Sequence, residues 1–187
     1  MEKIKELAGE KVHTRSITIA TRPLDGDRIL VEGELVDTRL TEYFLLSGEK
    51  KEPGVLHRMT VRLLCEGARL KILNAEAVMP GIPREECGGL AESVKSVIGL
   101  SISAGFTAKL KSAMGGVKGC YHLLSLINAM APAAVQGYWS NRARKPLTVR
   151  GISAKDAMKY LPLNSCYVWR EDGPMVKQIV EEICRRK

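Results

Sequence analysis

Aromatic residues are scarce in this chain: two Phe, two Trp and five Tyr make up 5% of its 187 residues. A protein that grips single-stranded nucleic acid needs stacking rings interleaved with basic side chains, and no strand of that kind occurs. The net charge of +8 therefore does not argue for nucleic acid. Its densest clusters, Arg142-Ala143-Arg144-Lys145 and Arg185-Arg186-Lys187, read as solvated helix ends. Long apolar runs are missing as well, with nothing near the roughly 20 residues that span a bilayer. Residues 1–11 mix charges instead of forming the apolar segment of a secretory signal or anchor. A cytoplasmic location without membrane association is the expectation. Also absent are C-x-x-C and H-x-x-x-H spacings, a Walker loop and a serine elbow, which removes the ready-made zinc-finger, nucleotide-loop and serine-hydrolase assignments. No repeat or low-complexity tract appears.

What is there suits one globular domain spanning 1–187. The apolar fraction is 45% and the charged fraction 27%, ordinary values for a folded chain. A chain this long can bury roughly two-thirds of its unfolded surface. Five cysteines are an odd number, and in a reducing compartment they stay thiols. Their use is then packing, metal binding or redox chemistry.

Residues 12–80 read as strands. Ile17 and Ile19 alternate within 13–22. In 28–38, Ile29, Val31, Gly33 and Leu35 alternate against Leu30, Glu32, Glu34 and Val36. Asp25-Gly26-Asp27 between them signals a hairpin turn. A polar stretch at 47–54 precedes a third strand, with His57, Met59, Val61, Leu63 and Cys65 on one face and Arg58, Thr60 and Arg62 on the other. A fourth covers 70–79. From 84 to 144 the period is helical. Leu90, Val94, Val97 and Ile98 form one stripe. Phe106, Leu110 and Met114 form a second, ending at Gly115-Gly116. A long helix then runs from about Gly119 or Cys120 to Arg144, with Leu123, Leu124, Ile127, Ala131, Ala134, Val135 and Tyr138 inward and Pro132 as a kink point. Residues 150–187 end in an amphipathic helix opened by Gly173-Pro174. Strands followed by helices predict an α+β fold: an antiparallel sheet of about four strands, packed by the C-terminal helices.

Few residues can carry chemistry. His57 is one of three histidines and lies on an apolar strand face, where an imidazole needs a partner. Cys87 follows a proline-bounded loop near a helix start. Cys120 sits in Gly115-Gly116-Val117-Lys118-Gly119-Cys120-Tyr121-His122, where unpaired amides and the helix dipole favour thiolate. On a regular helix Cys120 and His122 would point about 200° apart, so they converge only if Cys120 precedes the helix. The same turn, with Gly116 and Gly119, could hold an anion on its amides. Cys65 and Cys184 read as packing residues, and Cys166 is left open.

Several strings together resemble a bacterial family catalogued as domain of unknown function 2889. They include His13-Thr14-Arg15-Ser16-Ile17, Val31-Glu32-Gly33-Glu34-Leu35-Val36-Asp37-Thr38, His57-Arg58-Met59 and the Gly115–Leu123 string. Tyr121 departs from that family's usual Thr. From His57 onward the order of elements is also similar to the IscU/NifU-type iron–sulfur scaffold proteins. That resemblance places His57, Cys87 and Cys120 at the three cysteine positions of the scaffold family, with His122 approximating its neighbouring histidine and Met59 replacing its aspartate. Two thiolates in place of three disfavour a cluster and favour mononuclear zinc or iron.

The leading expectation is a metal-binding protein with a mixed site of His57, Cys87, Cys120 and His122, used for cofactor handling or metal-dependent catalysis. The alternatives are a small-molecule enzyme or binding protein, with an anionic substrate at the Gly115–Cys120 turn and Arg15, Arg58 or Arg62 adding charge, and an interaction domain without chemistry. Whether the chain is an enzyme stays open. The partners expected are a metal or a small molecule, with a homo-oligomer left open.

Overall fold

The structure of the protein, a computed structural model, describes residues 3–145, 153–158, 161, 163–164 and 166–185. Arg186 and Lys187 of the basic tail, and Ser165, lie outside them. The chain divides into two compact units, Met1–Arg142 and Ala143–Lys187.

The first unit is built on four long strands, β1 (His13–Leu24), β2 (Arg28–Arg39), β5 (Gly54–Glu66) and β6 (Lys71–Gly81), antiparallel in the order β1-β2-β5-β6. The hairpin expected around Gly26 forms, and its tight turn sets the β1–β2 register along its whole length, from Leu24 opposite Arg28 to His13 opposite Arg39. The polar stretch after β2 is partly ordered as a small hairpin of β3 (Tyr43–Phe44) and β4 (Lys50–Lys51). Two bulges flank the start of β5. One separates the Asp37–His57 pair from Thr38–Val55. The other lies between Arg58–Gly81 and Thr60–Val78 and accommodates Pro80, which has no N–H for a ladder.

Strands β2 and β5 bury one face by alternation, β6 buries Ile72 and Ala75, and the edge strand β1 is only partly covered, at Thr14, Ile19 and Thr21. Ile29, Val31, Leu35, Met59, Val61, Leu63, Cys65, Ile72 and Ala75 form the core's sheet side. The other face of β2, β5 and β6 carries a charge lattice in which Arg62 pairs with Glu32 and Glu76, and Arg58 with Glu34.

Helices cover the buried face. The expected α-helical stripe at Leu90–Ile98 is corrected: Glu85–Val97 is a 3₁₀ helix. With three residues per turn, Val94 and Val97 superpose and are buried, while Ile98 lies beyond the helix and is 42% exposed. The helix begins without a side-chain cap and includes Gly88-Gly89, so local propensity does little for an α-helix there. Phe106, Leu110 and Met114 are buried on α1 (Phe106–Met114), as their spacing predicts. Helix α2 (Tyr121–Arg142) lies on β1 and β2. Besides the residues expected inward, it buries Leu126 and Met130 fully, while Leu124 and Val135 are only partly covered. Room for α2 comes from small residues. A Cβ on Gly33 would stand 2.8 Å from the Met130 side chain, and one on Gly137 would stand 2.4 Å from Thr21.

In the second unit, α3 (Ala154–Met158) and α4 (Pro174–Arg185) are the helices among the described residues, and α4 buries Val176 and Ile183. No helix among the described residues is long and apolar enough to cross a membrane.

Candidate functional site

The core-facing stripes of four elements, only partly covered on the edge strand β1, turn polar at the same end of the core. On β1 the stripe Thr21, Ile19, Ile17 runs out into Arg15 and His13. On β2 the stripe Ile29, Val31, Gly33, Leu35 runs out into Asp37, and on β5 Met59 is followed outward by His57. Helix α2 repeats the pattern at intervals of four: Tyr138, Ala134, Met130 and Leu126 are buried, and the next position is His122. Register does the rest. Arg15 is directly opposite Asp37, and Asp37 directly opposite His57, so three side chains from three strands share one row on the helix-covered face.

Asp37 is the hub. It is 2% exposed and is the sole fully buried polar residue among those described. Arg15 grips it in a two-pronged pair, with Nε donating to Oδ1 at 2.7 Å and Nη2 to Oδ2 at 2.8 Å. His57 Nδ1 lies 3.1 Å from Oδ2. His122 Nε2 is 3.5 Å from Oδ2 and His13 Nε2 3.4 Å from Oδ1. All three histidines of the chain thus face one carboxylate. The Arg15 hydrogen bonds, helped by the charges around it, hold the Asp37 carboxyl down at about 2 against the cost of its burial. The group is therefore ionised at neutral pH and can only accept hydrogen bonds, so His57 Nδ1–H donates to Oδ2. The pKa of His122 is lowered as well, which for an imidazole favours the neutral form: burial is the first cause, then the charges of His57 and Arg15. It stays neutral near pH 7 with a lone pair to offer. The His57 and His122 rings are nearly stacked, with centroids 3.9 Å apart and planes tilted by 32°.

The predicted site residues separate. His57 and His122 come together, joined by Asp37: each of the three offers a ligand atom, and these atoms lie within 4.8 Å of one another. Cys120 touches the group from outside, with Sγ 3.8 Å from His122 Nδ1. The two converge because Cys120 precedes the first helical residue of α2, Tyr121. Cys87 lies half-buried in the 3₁₀ helix and stands outside the group, among the described residues. Gly116 has a local backbone reason, a φ of 62° in the link between α1 and α2, and Gly119 has another, since a Cβ there would press on the Met114 carbonyl at 2.8 Å. Of the three arginines considered for anion binding, only Arg15 faces the site; Arg58 and Arg62 belong to the charge lattice of the opposite face. Cys65 is fully buried, and burial pushes its thiol up to about 12, as fits a packing residue.

Sequence reasoning missed Asp37. It lies two residues beyond Leu35, where period two keeps it on the inward face.

Residues 13–136 match the family described as protein of unknown function (DUF2889). The chain belongs to that family. No curated protein and no solved structure matches the chain. The DUF2889 span begins at His13 and contains Arg15, Asp37, His57, Cys120 and His122, so the whole polar end of the core lies within it.

Proposed function

We propose that the protein binds one divalent transition metal, zinc or iron(II), through Asp37, His57 and His122. The observation that carries this is the mutual proximity of their three ligand atoms, within 4.8 Å. Bonds of about 2.0–2.2 Å to a common ion need donors roughly 3–4 Å apart, so small side-chain adjustments suffice. Two imidazoles and one carboxylate suit zinc or iron and leave coordination positions open. Asp37 is already ionised and His122 neutral, the forms a metal requires. With Nε2 as ligand, His122 would have Nδ1–H free to donate to Cys120 Sγ, an outer contact of the kind that orients metal-bound histidines. A bound ion would supply a Lewis-acid centre at the polar end of the core.

Elemental analysis after purification without chelator, or after anaerobic loading with zinc or iron(II), should find about one metal per chain. Asp37→Asn, His57→Ala and His122→Ala should each lose it, and Cys87→Ala should keep it. A wild-type chain that takes up neither metal overturns the assignment, as does retention by all three ligand variants.

The contact between Cys120 and His122 supports a second reading, a thiol-dependent enzyme acting on a small molecule. His122 Nδ1 would take the thiol proton while Asp37 orients the ring from Nε2, the division of labour of nucleophile, base and orienting group. Iodoacetamide at neutral pH should then modify Cys120 faster than the exposed Cys166, and His122→Ala should slow Cys120 alone. Equal rates at the two thiols rule this reading out.

A further inference from the structure

The Arg15 fork poses a problem for the metal assignment and also indicates how the site works. A bidentate guanidinium–carboxylate pair is among the stronger side-chain contacts. It occupies both oxygens of Asp37, including Oδ2, the oxygen that also faces His57 and His122. A dication bound there would share one oxygen of a carboxylate that is 3% exposed with a permanently charged guanidinium, and the two like charges would repel across it. The two cations compete for Asp37. Asp37 cannot move to resolve the conflict: its side chain is 3% exposed and it sits mid-sheet on β2. Arg15 can. It stands on β1, at the edge of the sheet, its side chain is 32% exposed, and its stem is long and flexible.

We propose that Arg15 and the metal exchange on Asp37, and that the displaced Arg15 becomes the receptor for a small oxyanion, carboxylate or phosphate, held beside the metal. The proposal rests on the metal reading above. Without metal, the guanidinium neutralises a carboxylate that could not otherwise remain buried and charged. With metal, that role passes to the ion. Arg15 stays tethered to the same row of the sheet as Asp37 and His57, with the two donors that held Asp37, Nε and Nη2, released from their acceptor. Its planar fork matches an oxyanion, and the open coordination positions of a two-histidine, one-carboxylate centre allow the same anion to reach the metal. The site would thereby select an anionic ligand only in its metal-loaded state.

Zinc titration of the wild type, Arg15→Gln and Arg15→Lys by calorimetry tests the exchange. Removing the competing fork should tighten zinc binding about tenfold or more in Arg15→Gln, with Arg15→Lys between the two. Zinc should also raise the thermal midpoint of Arg15→Gln more than that of the wild type, because the variant leaves Asp37 without its counter-ion. Equal or weaker zinc binding by Arg15→Gln overturns the exchange. Acetate and inorganic phosphate, titrated separately into the zinc-loaded proteins, test the receptor and show which oxyanion it takes. At least one should bind the wild type and lose about tenfold or more in Arg15→Gln. Silence from both anions, or equal binding by both proteins, overturns the receptor role. If neither the wild type nor Arg15→Gln binds zinc, and iron(II) in its place is not bound either, the metal reading itself has failed.

Discussion

At the scale of single residues, Asp37 dominates. A charged side chain in a core is tolerated only where partners replace the lost water, and Arg15, His57, His122 and His13 surround this one. The consequence can be read in acid. The folded-state carboxyl is held at about 2, below its ordinary 3.8, so its contribution to stability is complete above roughly pH 4 and is lost as pH falls towards 2. The shift corresponds to about 2 kcal/mol. Chemical denaturation between pH 5 and pH 2 should show that loss in the wild type and not in Asp37→Asn. Parallel curves for the two would contradict it. His122 acts at higher pH and with the same sign: its lowered folded pKa means the unfolded chain takes its proton first as pH falls below the ordinary 6.5, so stability already declines there. Part of this was legible. A hairpin turning at Gly26 puts Arg15 opposite Asp37, and the pair follows from turn chemistry and counting. The His57 partnership does not, because β2 and β5 are joined by a long insertion and meet across a bulge at Thr38.

At the scale of elements, helix α2 matters most, because it brings His122 to the sheet. The helix lies close on β1 and β2 where side chains are small, and its two glycine contacts differ in kind. A Cβ at Gly33 meets Met130, a flexible side chain that can turn away. A Cβ at Gly137 meets the Cβ and both γ atoms of Thr21, which are fixed to the β1 backbone. Gly137→Ala should therefore destabilise the first unit by about 1–3 kcal/mol in urea unfolding, through overpacking that outweighs the roughly 1 kcal/mol gained in helix propensity. Gly33→Ala should cost less. A Gly137→Ala protein as stable as the wild type would show that α2 is not seated against Thr21. The 3₁₀ helix at Glu85–Val97 was misjudged from sequence because two valines spaced by three satisfy either period, and only the position of Ile98 distinguishes them.

At the scale of the whole molecule, the sequence by itself determined the α+β class, the hairpin, the buried faces of β2 and β5, and the helices α1, α2 and α4. Each of these follows from local periodicity and turn residues, which act over a few positions. Tertiary structure alone decided which polar residues would meet. The similarity to the iron–sulfur scaffold proteins is what joins Cys87 to His57 in the sequence reading, since no local rule fixes the distance between a strand and a helix some thirty residues apart; the group that the described residues form is Asp37, His57 and His122. The convergence of Asp37, His57 and His122 depends on where three apolar stripes end once they are stacked. Since packing aligns the stripes over their whole length, it brings their polar ends together too, and that alignment is a property of the folded core.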